Sequence, residues 1–374
     1  MNNLIRLRQE LHRNPELSGS ERGTGKRIRF FLNHYPPTKL FTSIAGEGMA
    51  AVYSSNKPGP TLLFRCELDA LPIHESINKS YASNKPGVSH ACGHDGHIAM
   101  VSGLAAELTK NSIKRGKVIL FYQPKAENGQ GALQSIKEFE KFNIQPDYSF
   151  AIHNMPKYPL GSVILAKHTF ASASMGLIFK LIGSDSHAAY PENGKNPSLA
   201  ISKIIQGFHD IPKSKDFAKF VMLTVIHIRV GEVAFGTSPG YGEVMITLRS
   251  HDDNDMKLLS EKATSLVHSI AKEHELNIET SITDDFPAVT CDPKLIEGIH
   301  SVATKQDRKV FYLDEPNRWS EDFSQFAIKW PSILFGLGVG EKMQDLHSPN
   351  FDFPDEAIEH GINIFNLIIT QHLR

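Results

Sequence analysis

The chain has 374 residues, 40% of them hydrophobic and 22% charged, and its 40 Lys+Arg against 41 Asp+Glu give a formal net charge of −1. That length accommodates two domains of ordinary globular composition, and the balanced charge argues against any broad nucleic-acid or membrane-surface footprint. Three scattered cysteines (Cys66, Cys92, Cys291) are too few and too odd in number for a disulfide framework, and point to a reducing, cytoplasmic setting.

Leu4, Leu7 and Leu11 recur at helical spacing, so the chain opens with an amphipathic helix that stops before Asn14-Pro15. Its charged residues are not those of a signal peptide, and no later run approaches transmembrane length. A second helix is expected from Ser20 to about Asn33. Near-continuous apolar runs follow at Met49 to Tyr53, Thr61 to Leu68, Lys117 to Gln123 and Tyr148 to Asn154, the pattern of buried strands in a mostly parallel sheet. Helical stretches at His97 to Lys110 and Gly131 to Phe142 separate some of them, which implies an α/β layered domain.

From about Ala173 the pattern changes. A strand at Met175 to Gly183, a helix at Pro197 to Ile211, strands at Phe220 to Val230 and Gly242 to Ser250, a long helix at Asp253 to Glu275 and a strand at Leu276 to Thr283 follow one another. This β-α-β-β-α-β order is that of a split βαβ, ferredoxin-like α+β unit. After Pro287 the first pattern resumes, with a helix from Asp292, a strand at Ser332 to Leu337 and a closing helix from Pro354. The expectation is one α/β domain over 1–172 and 286–374, interrupted by an inserted domain over 173–285.

The segment His90-Ala-Cys-Gly-His-Asp-Gly-His97 packs three histidines, a cysteine and an aspartate into one turn-rich stretch. Imidazole nitrogen, thiolate sulfur and carboxylate oxygen are donors for a divalent transition metal, whereas a merely solvated loop has no use for a thiol among histidines. Four further candidates fall at or just past predicted strands, where ligands of open α/β sheets bind. Asp69 and Glu67 leave the strand from Thr61 on one side of an extended chain, as a carboxylate orienting a metal-bound histidine would, or as a plain acidic pair at a strand end. Glu127, after the strand from Lys117, reads as a ligand, a base or a loop carboxylate. His153 closes an apolar strand and His347 lies near the far end, positions where a histidine is more often a core or rim residue than a ligand. Taken together, Cys92, His94, Glu127, His153 and His347 supply one thiolate, one carboxylate and three imidazoles, a set suited to two metals with a bridging water.

These segments also resemble a known family: the aminoacylase, hippurate hydrolase and carboxypeptidase family of di-metal amidohydrolases. The nearest branch is that of N-acetyldiaminopimelate deacetylases, hippurate hydrolases and auxin-conjugate hydrolases. The resemblance runs from Leu7–Ser18 through Asp69–Ile73, His90–His97, Gln123–Ala132, His153–Pro156, Ser186–Pro191 and Ser320–Phe323 to Leu346–Phe351. It implies a metallopeptidase-like catalytic domain with the inserted domain as a lid that mediates homodimer contact. It implies metal-dependent hydrolysis of the amide bond of small N-acyl amino acids through a metal-bound water. Cys92, His94, Glu127, His153 and His347 become ligands of two divalent ions, Zn or Mn, with Ni or Co also compatible. Asp69 becomes the carboxylate behind a ligand, His187 the lid donor to the substrate carbonyl or oxyanion, and Arg249 a contact to the substrate carboxylate or a structural residue. His97 reads as a family core residue opening the next helix.

The departures carry as much as the matches. The family pattern at the base reads Gln-Pro-Ala-Glu-Glu, the first Glu being the general base and the second a ligand. Here it reads Gln123-Pro124-Lys125-Ala126-Glu127, so Ala126 stands at the base position. Loss of a positioned general base costs about 10²–10⁴ in rate. One reading is an amidohydrolase with weakened or altered activity. The alternative is an impaired homologue that binds metal and an amide ligand without turnover. A deliberate replacement at 126 is a third, against which Lys125, departing as well, argues mildly. Glu127 acting as the base with a metal lost is a fourth, ranked lower because the spacing to Gly129 and Gly131-Ala132 fixes the register without a gap. Glu67 stands where the family has Asp, and Gly236 where it has a substrate-side Asn.

Overall fold

A computed structural model describes all residues 1–374. The first elements are α1 (Asn2–Arg13), α2 (Arg22–Leu32), β1 (Lys39–Ile44), β2 (Gly48–Ser54), β3 (Thr61–Glu67), α3 (His94–Lys110), β4 (Lys117–Gln123), α4 (Gly131–Phe139), β5 (Tyr148–Met155), β6 (Val163–Leu165) and β7 (Thr169–Ala171). Then come β8 (Ala173–Ile182), β9 (Ser186–His187), α5 (Ser198–Asp210), β10 (Val221–Val230), β11 (Thr237–Ser238), β12 (Tyr241–Ser250), α6 (Asp253–Glu273) and β13 (Asn277–Phe286). The chain closes with β14 (Val289–Thr290), α7 (Pro293–Lys305), β15 (Val310–Tyr312), α8 (Ser324–Lys329), β16 (Ser332–Gly338) and α9 (Glu356–Leu373).

Two compact units result. One comprises residues 1–170, 289–315 and 321–374, and the other residues 171–288 with 316–320. The first is built on an eight-stranded sheet in the order β1-β2-β4-β3-β5-β16-β6-β15. Its centre, β4-β3-β5-β16, is parallel throughout, with Phe64 opposite Leu120 and Phe150, and Ile152 opposite Phe335. These strands are buried along nearly their whole length, which is why they read as unbroken apolar runs. The outer strand β1 pairs antiparallel with β2, and most of its residues are exposed. Sequence inspection passes over β1, β6 and β15 because a short or exposed strand carries no apolar run.

The helix α3 is buried on almost all sides, so it lacks the polar face of a surface helix. It packs closely on α9: a Cβ at Gly103 would meet Ile362 Cδ1 at 2.2 Å, and one at Gly361 would meet Met100 Sδ at 1.9 Å. An ion network ties the first turn of α3 to α1. Buried Arg8 pairs with Asp352 and Asp355 at 2.8 Å each and lies 3.5 Å from Asp95. His12 lies between Asp95 Oδ2 at 2.8 Å and Glu75 Oε1 at 2.6 Å, so both ring nitrogens donate to carboxylates. Burial works against its proton, but Asp95 and Glu75 outweigh it and raise His12 from 6.5 to about 9. A raised folded-state value stabilises the fold fully below pH 6.5 and loses that contribution as pH rises through about 9. The difference corresponds to about 3 kcal/mol. We expect His12→Asn to lower the melting temperature at pH 6 and to leave a smaller deficit at pH 9.5. A deficit independent of pH would show that His12 is neutral in the fold.

The second unit has its own core, formed by Leu177, Phe179, Ile204, Phe208, Val244, Ile246, Leu259 and Val267 among others. Its antiparallel sheet runs β10-β12-β8-β13, so β8 and β10, joined through α5, flank the antiparallel β12. This is the split βαβ arrangement expected from the element order. The Asp252 side chain caps α6 by accepting from the backbone of Asn254 and Asp255.

Candidate metal centre

The parallel strands of the first unit end together, and the loops beyond them bring the predicted donors into one cluster. Glu67, the last residue of β3, lies opposite Gln123, the last of β4, while His153 is near the end of β5. The Cys92-Gly93-His94 turn sits at the start of α3. Gly93 takes φ +86°, and a Cβ there would meet Asn154 Oδ1 at 2.6 Å. The glycine thus lets the helix begin at His94, three residues earlier than His97, where the sequence alone placed it.

Donor atoms of Cys92, His94 and His153 lie within 4.8 Å of one another, as do those of Cys92, Glu127 and His347. Both groups share the Cys92 sulfur, which is 3.6 Å from His153 Nε2. His94 Nε2 is 3.6 Å from Glu127 Oε1. The chain therefore gathers all five predicted donors from four separate segments. His347 reaches its place from an exposed loop, with φ +64° and its amide bonded to the Ala91 carbonyl at 2.9 Å. A non-glycine residue in the left-handed region is held there against its backbone preference.

Hydrogen bonds settle which ring nitrogen faces the cluster. His94 Nδ1 donates to the Asp69 carbonyl oxygen at 2.8 Å and lies 3.5 Å from Asp69 Oδ1. His153 Nδ1 donates to the Asn154 carbonyl at 3.0 Å. Each ring thus turns its Nε2 inward, the nitrogen a metal would bind. Burial works against a proton on His94, but Cys92, Glu67 and Asp69 outweigh it and raise His94 well above its ordinary value. Burial lowers His153 to about 3, with the neighbouring His97 adding to the effect, and keeps its ring neutral. The Cys92 thiol, buried and beside Glu127, is pushed up to about 12. Burial, with Asp69 and other carboxylates adding to it, raises Glu127 to about 7. Glu127 Oε1 and Asp69 Oδ1 are buried with no hydrogen-bond partner. A buried thiol and orphaned carboxylate oxygens facing the inward nitrogens of His94 and His153 form a donor set that a divalent cation would satisfy.

Asp69 is fully buried and holds the cluster from behind. Its Oδ2 accepts from Ser18 Oγ at 2.6 Å and from the Glu127 amide at 2.9 Å. Burial alone would raise it, but His94, Ser18 and that amide outweigh burial and hold it below the usual carboxylate value. Glu67 and His97, also within reach of His94, are otherwise engaged. His97 is fixed between Glu67 Oε2 at 2.8 Å and Asn154 Oδ1 at 2.6 Å. Glu67 in turn is bound to buried Arg65, which also contacts Gln123, Glu321 and Asp322. Ser18, Arg65, Asn154 and Asp322 are supporting residues that sequence reasoning did not single out for a role. Within the quoted segments they looked like ordinary polar positions, and only the fold reveals their partners.

Position 126 holds a buried alanine with no side-chain donor or acceptor. Its neighbour Lys125 does not replace the missing group. That residue has φ +56°, its amide donates to Glu21 Oε1 at 2.8 Å, and its Nζ is bound to Gln134 Oε1 at 3.1 Å. The two remaining candidates lie in the second unit. His187 is exposed, and its Nδ1 accepts from the Ala189 amide at 3.0 Å, which leaves the proton on Nε2. Arg249 donates to the Arg318 carbonyl at 2.8 Å, a structural contact of its own. At Gly236 a Cβ would meet nothing within 4 Å, so space does not demand a glycine there.

The sequence is similar to the N-acetyldiaminopimelate deacetylase of Lactobacillus helveticus, 27% identical over 96% of this chain and 95% of that protein. It is similar to the hippurate hydrolase of Campylobacter jejuni, 26% identical over 99% and 96% of the two chains. The fold matches a crystal structure from methicillin-resistant Staphylococcus aureus with a TM-score of 0.88 at 25% identity, covering 98% of this chain and 96% of the other. It also matches the Bacillus subtilis YxeP protein, a dinuclear metal-binding peptidase of the M20 family, with a TM-score of 0.84 at 23% identity over 99% and 97% of the chains. No helix is long and apolar enough to cross a membrane. The profile of peptidase family M20/M25/M40 matches residues 63–371, far more than half of the molecule, and the chain accordingly belongs to that family of amide-bond hydrolases as a metal-binding amidohydrolase.

Proposed function

We propose that the protein hydrolyses the amide bond of small N-acyl amino acids with two divalent ions, at a rate limited by the alanine at position 126. The observation that carries this reading is the pair of donor groups sharing Cys92, with His94 and His153 on one side and Glu127 and His347 on the other. The similarity to a hippurate hydrolase and to N-acetyldiaminopimelate deacetylases supports the substrate class. Cys92, His94, Glu127, His153 and His347 would hold the ions. Zn suits the thiolate, and Mn, Ni or Co would also accept the imidazole and carboxylate donors. When bound, such ions acidify water and polarise a carbonyl.

The chain's own residues do the rest. Asp69 fixes the His94 ring through the contacts described above. The second unit serves as a lid and homodimer contact. Its edge strand β10 exposes Ile226 and Ile228 at 60% and 45%, apolar surface of the kind a second copy would cover. From that unit His187 Nε2–H donates to the oxyanion, and Arg249 receives the substrate carboxylate. With Ala126 in place, solvent must carry the proton from water to the leaving amine. The free, buried cysteines fit a reducing, cytoplasmic location.

The test is release of free amino acid from N-acetyl and N-benzoyl amino acids by protein loaded with Zn or Mn, alongside elemental analysis. We expect slow turnover abolished by chelation, two ions per chain, and loss of bound metal in Cys92→Ala. Full metal content in Cys92→Ala would remove the site. Two bound ions with no turnover of any such substrate would favour an impaired protein that binds metal and an amide ligand.

A further inference from the structure

A cleft of about 860 Å³ opens between α1 and α2, in the same unit as the donor cluster but built from different residues. Helical periodicity explains its walls. Leu4, Leu7 and Leu11 turn one face of α1 to the core, and Asn3, Arg6 and Glu10 line the adjoining stripe. On α2, Lys26 and Arg27 lie one turn before Phe30 and Phe31. The floor is apolar, with Leu7 and Phe31 buried, while Phe30 stands 70% exposed at the rim, edge-on to His34.

The charges are uneven. Arg8 and Arg13, on the same helix as Arg6, are both in ion pairs. The only carboxylate lining the cleft, Glu10, is taken by Arg13 at 3.2 Å. Arg6, Lys26 and Arg27 have neither an ion pair nor a hydrogen bond, although Arg27 is half-buried. In a protein of net charge −1 this is a local concentration of positive charge with no partner in the chain. Three free cations beside an aromatic shelf, in a cavity of small-molecule size, combine the recognition elements for a ligand with an anionic head and a flat or greasy body.

We propose that this cleft is a second ligand site, separate from the hydrolytic cluster, which binds an amphipathic anion: an aromatic or acyl body carrying a phosphate or carboxylate. Arg6, Lys26 and Arg27 take the anion, and Phe30 and Tyr35 take the body. A nucleotide, an aryl carboxylate and a fatty acid share this chemistry.

Calorimetric titration of the full-length, metal-loaded protein with adenosine monophosphate, benzoate and octanoate distinguishes these sources, with inorganic phosphate as the head-group probe. We expect at least one of the three to bind one per chain and more tightly than phosphate. The double variant Arg6→Glu/Arg27→Glu should weaken that binding at least tenfold. Phe30→Ser should weaken it several-fold. Arg6 and Arg27 have no ion pair or hydrogen bond in the fold, Phe30 is 70% exposed with only an edge-on contact to His34, and none of the three has a place in the cluster, so amide hydrolysis should not change and the melting temperature should stay close to its starting value. The proposal fails if none of the three ligands binds, or if binding survives charge reversal. It fails equally if binding is lost in Cys92→Ala, which alters the donor cluster and leaves the cleft intact, because that would place the ligand at the hydrolytic cluster.

Discussion

Ala126→Glu is expected to raise the rate of amide hydrolysis by about 10²–10⁴, the usual contribution of a positioned general base. The expectation rests on what already surrounds position 126. The turn is braced by the Lys125 amide on Glu21, and the next residue is braced by Asp69 accepting from the Glu127 amide at 2.9 Å. A carboxylate introduced there would sit one residue from Glu127, whose unpartnered oxygen belongs to the donor cluster. A base acts in the transition state and not on the bound substrate, so kcat should rise while KM stays close to its starting value. Ala126→Gln is the control, since it adds the same bulk without a proton acceptor. An equal gain from Gln would show that packing was the deficit. No gain from Glu, with both ions bound, would mean that proton transfer does not limit the reaction.

The second large effect is on stability. Arg65 is fully buried and bound to Glu67, Glu321 at 2.9 Å and Asp322 at 2.5 Å, with Gln123 Oε1 accepting from its Nε at 2.9 Å. Methionine at this position would keep much of the volume but leave three carboxylates without their cation. Removing one partner of a buried ion pair costs about 3–5 kcal/mol, because the remaining charge stays desolvated. Arg65→Met should therefore lower the denaturation midpoint by an amount in that range. Part of the loss should return in the double variant Arg65→Met/Glu321→Gln, which removes one stranded charge. Damage should extend to the cluster, because Glu67 also fixes His97 at 2.8 Å and His97 in turn holds Asn154. A loss below about 1 kcal/mol, the scale of an exposed pair, would mean that water reaches these carboxylates.

Much of this was legible in the residues. The buried parallel strands announced themselves because strands covered on both faces carry no polar alternation, and the β-α-β-β-α-β block stood out by the order of its elements. The donors were legible only as a set, because Glu127, His153 and His347 each have a commoner reading alone and stand out only beside the thiol and histidine of Cys92-Gly93-His94. The limits were equally physical. The edge strand β1 is exposed and has no apolar run to betray it. The helix α3 starts at His94 because Gly93 adopts a left-handed conformation against Asn154, a contact 61 residues away in sequence that no local pattern encodes. His97, in the densest motif, is committed to Glu67 and Asn154.

By itself, then, the sequence determined the class of fold, the donor types and the alanine at the base position, since each depends on residue identity and local spacing. Tertiary structure alone decided which histidine nitrogen faces the cluster, that Asp69 stands behind His94 with Ser18 on its other side, and that Lys125 is tied to Gln134 and Glu21. It also decided that Arg6, Lys26 and Arg27 remain without partners beside an exposed phenylalanine. Those outcomes depend on distances between segments far apart in the chain, and burial and hydrogen bonding act on such distances only after the chain has folded.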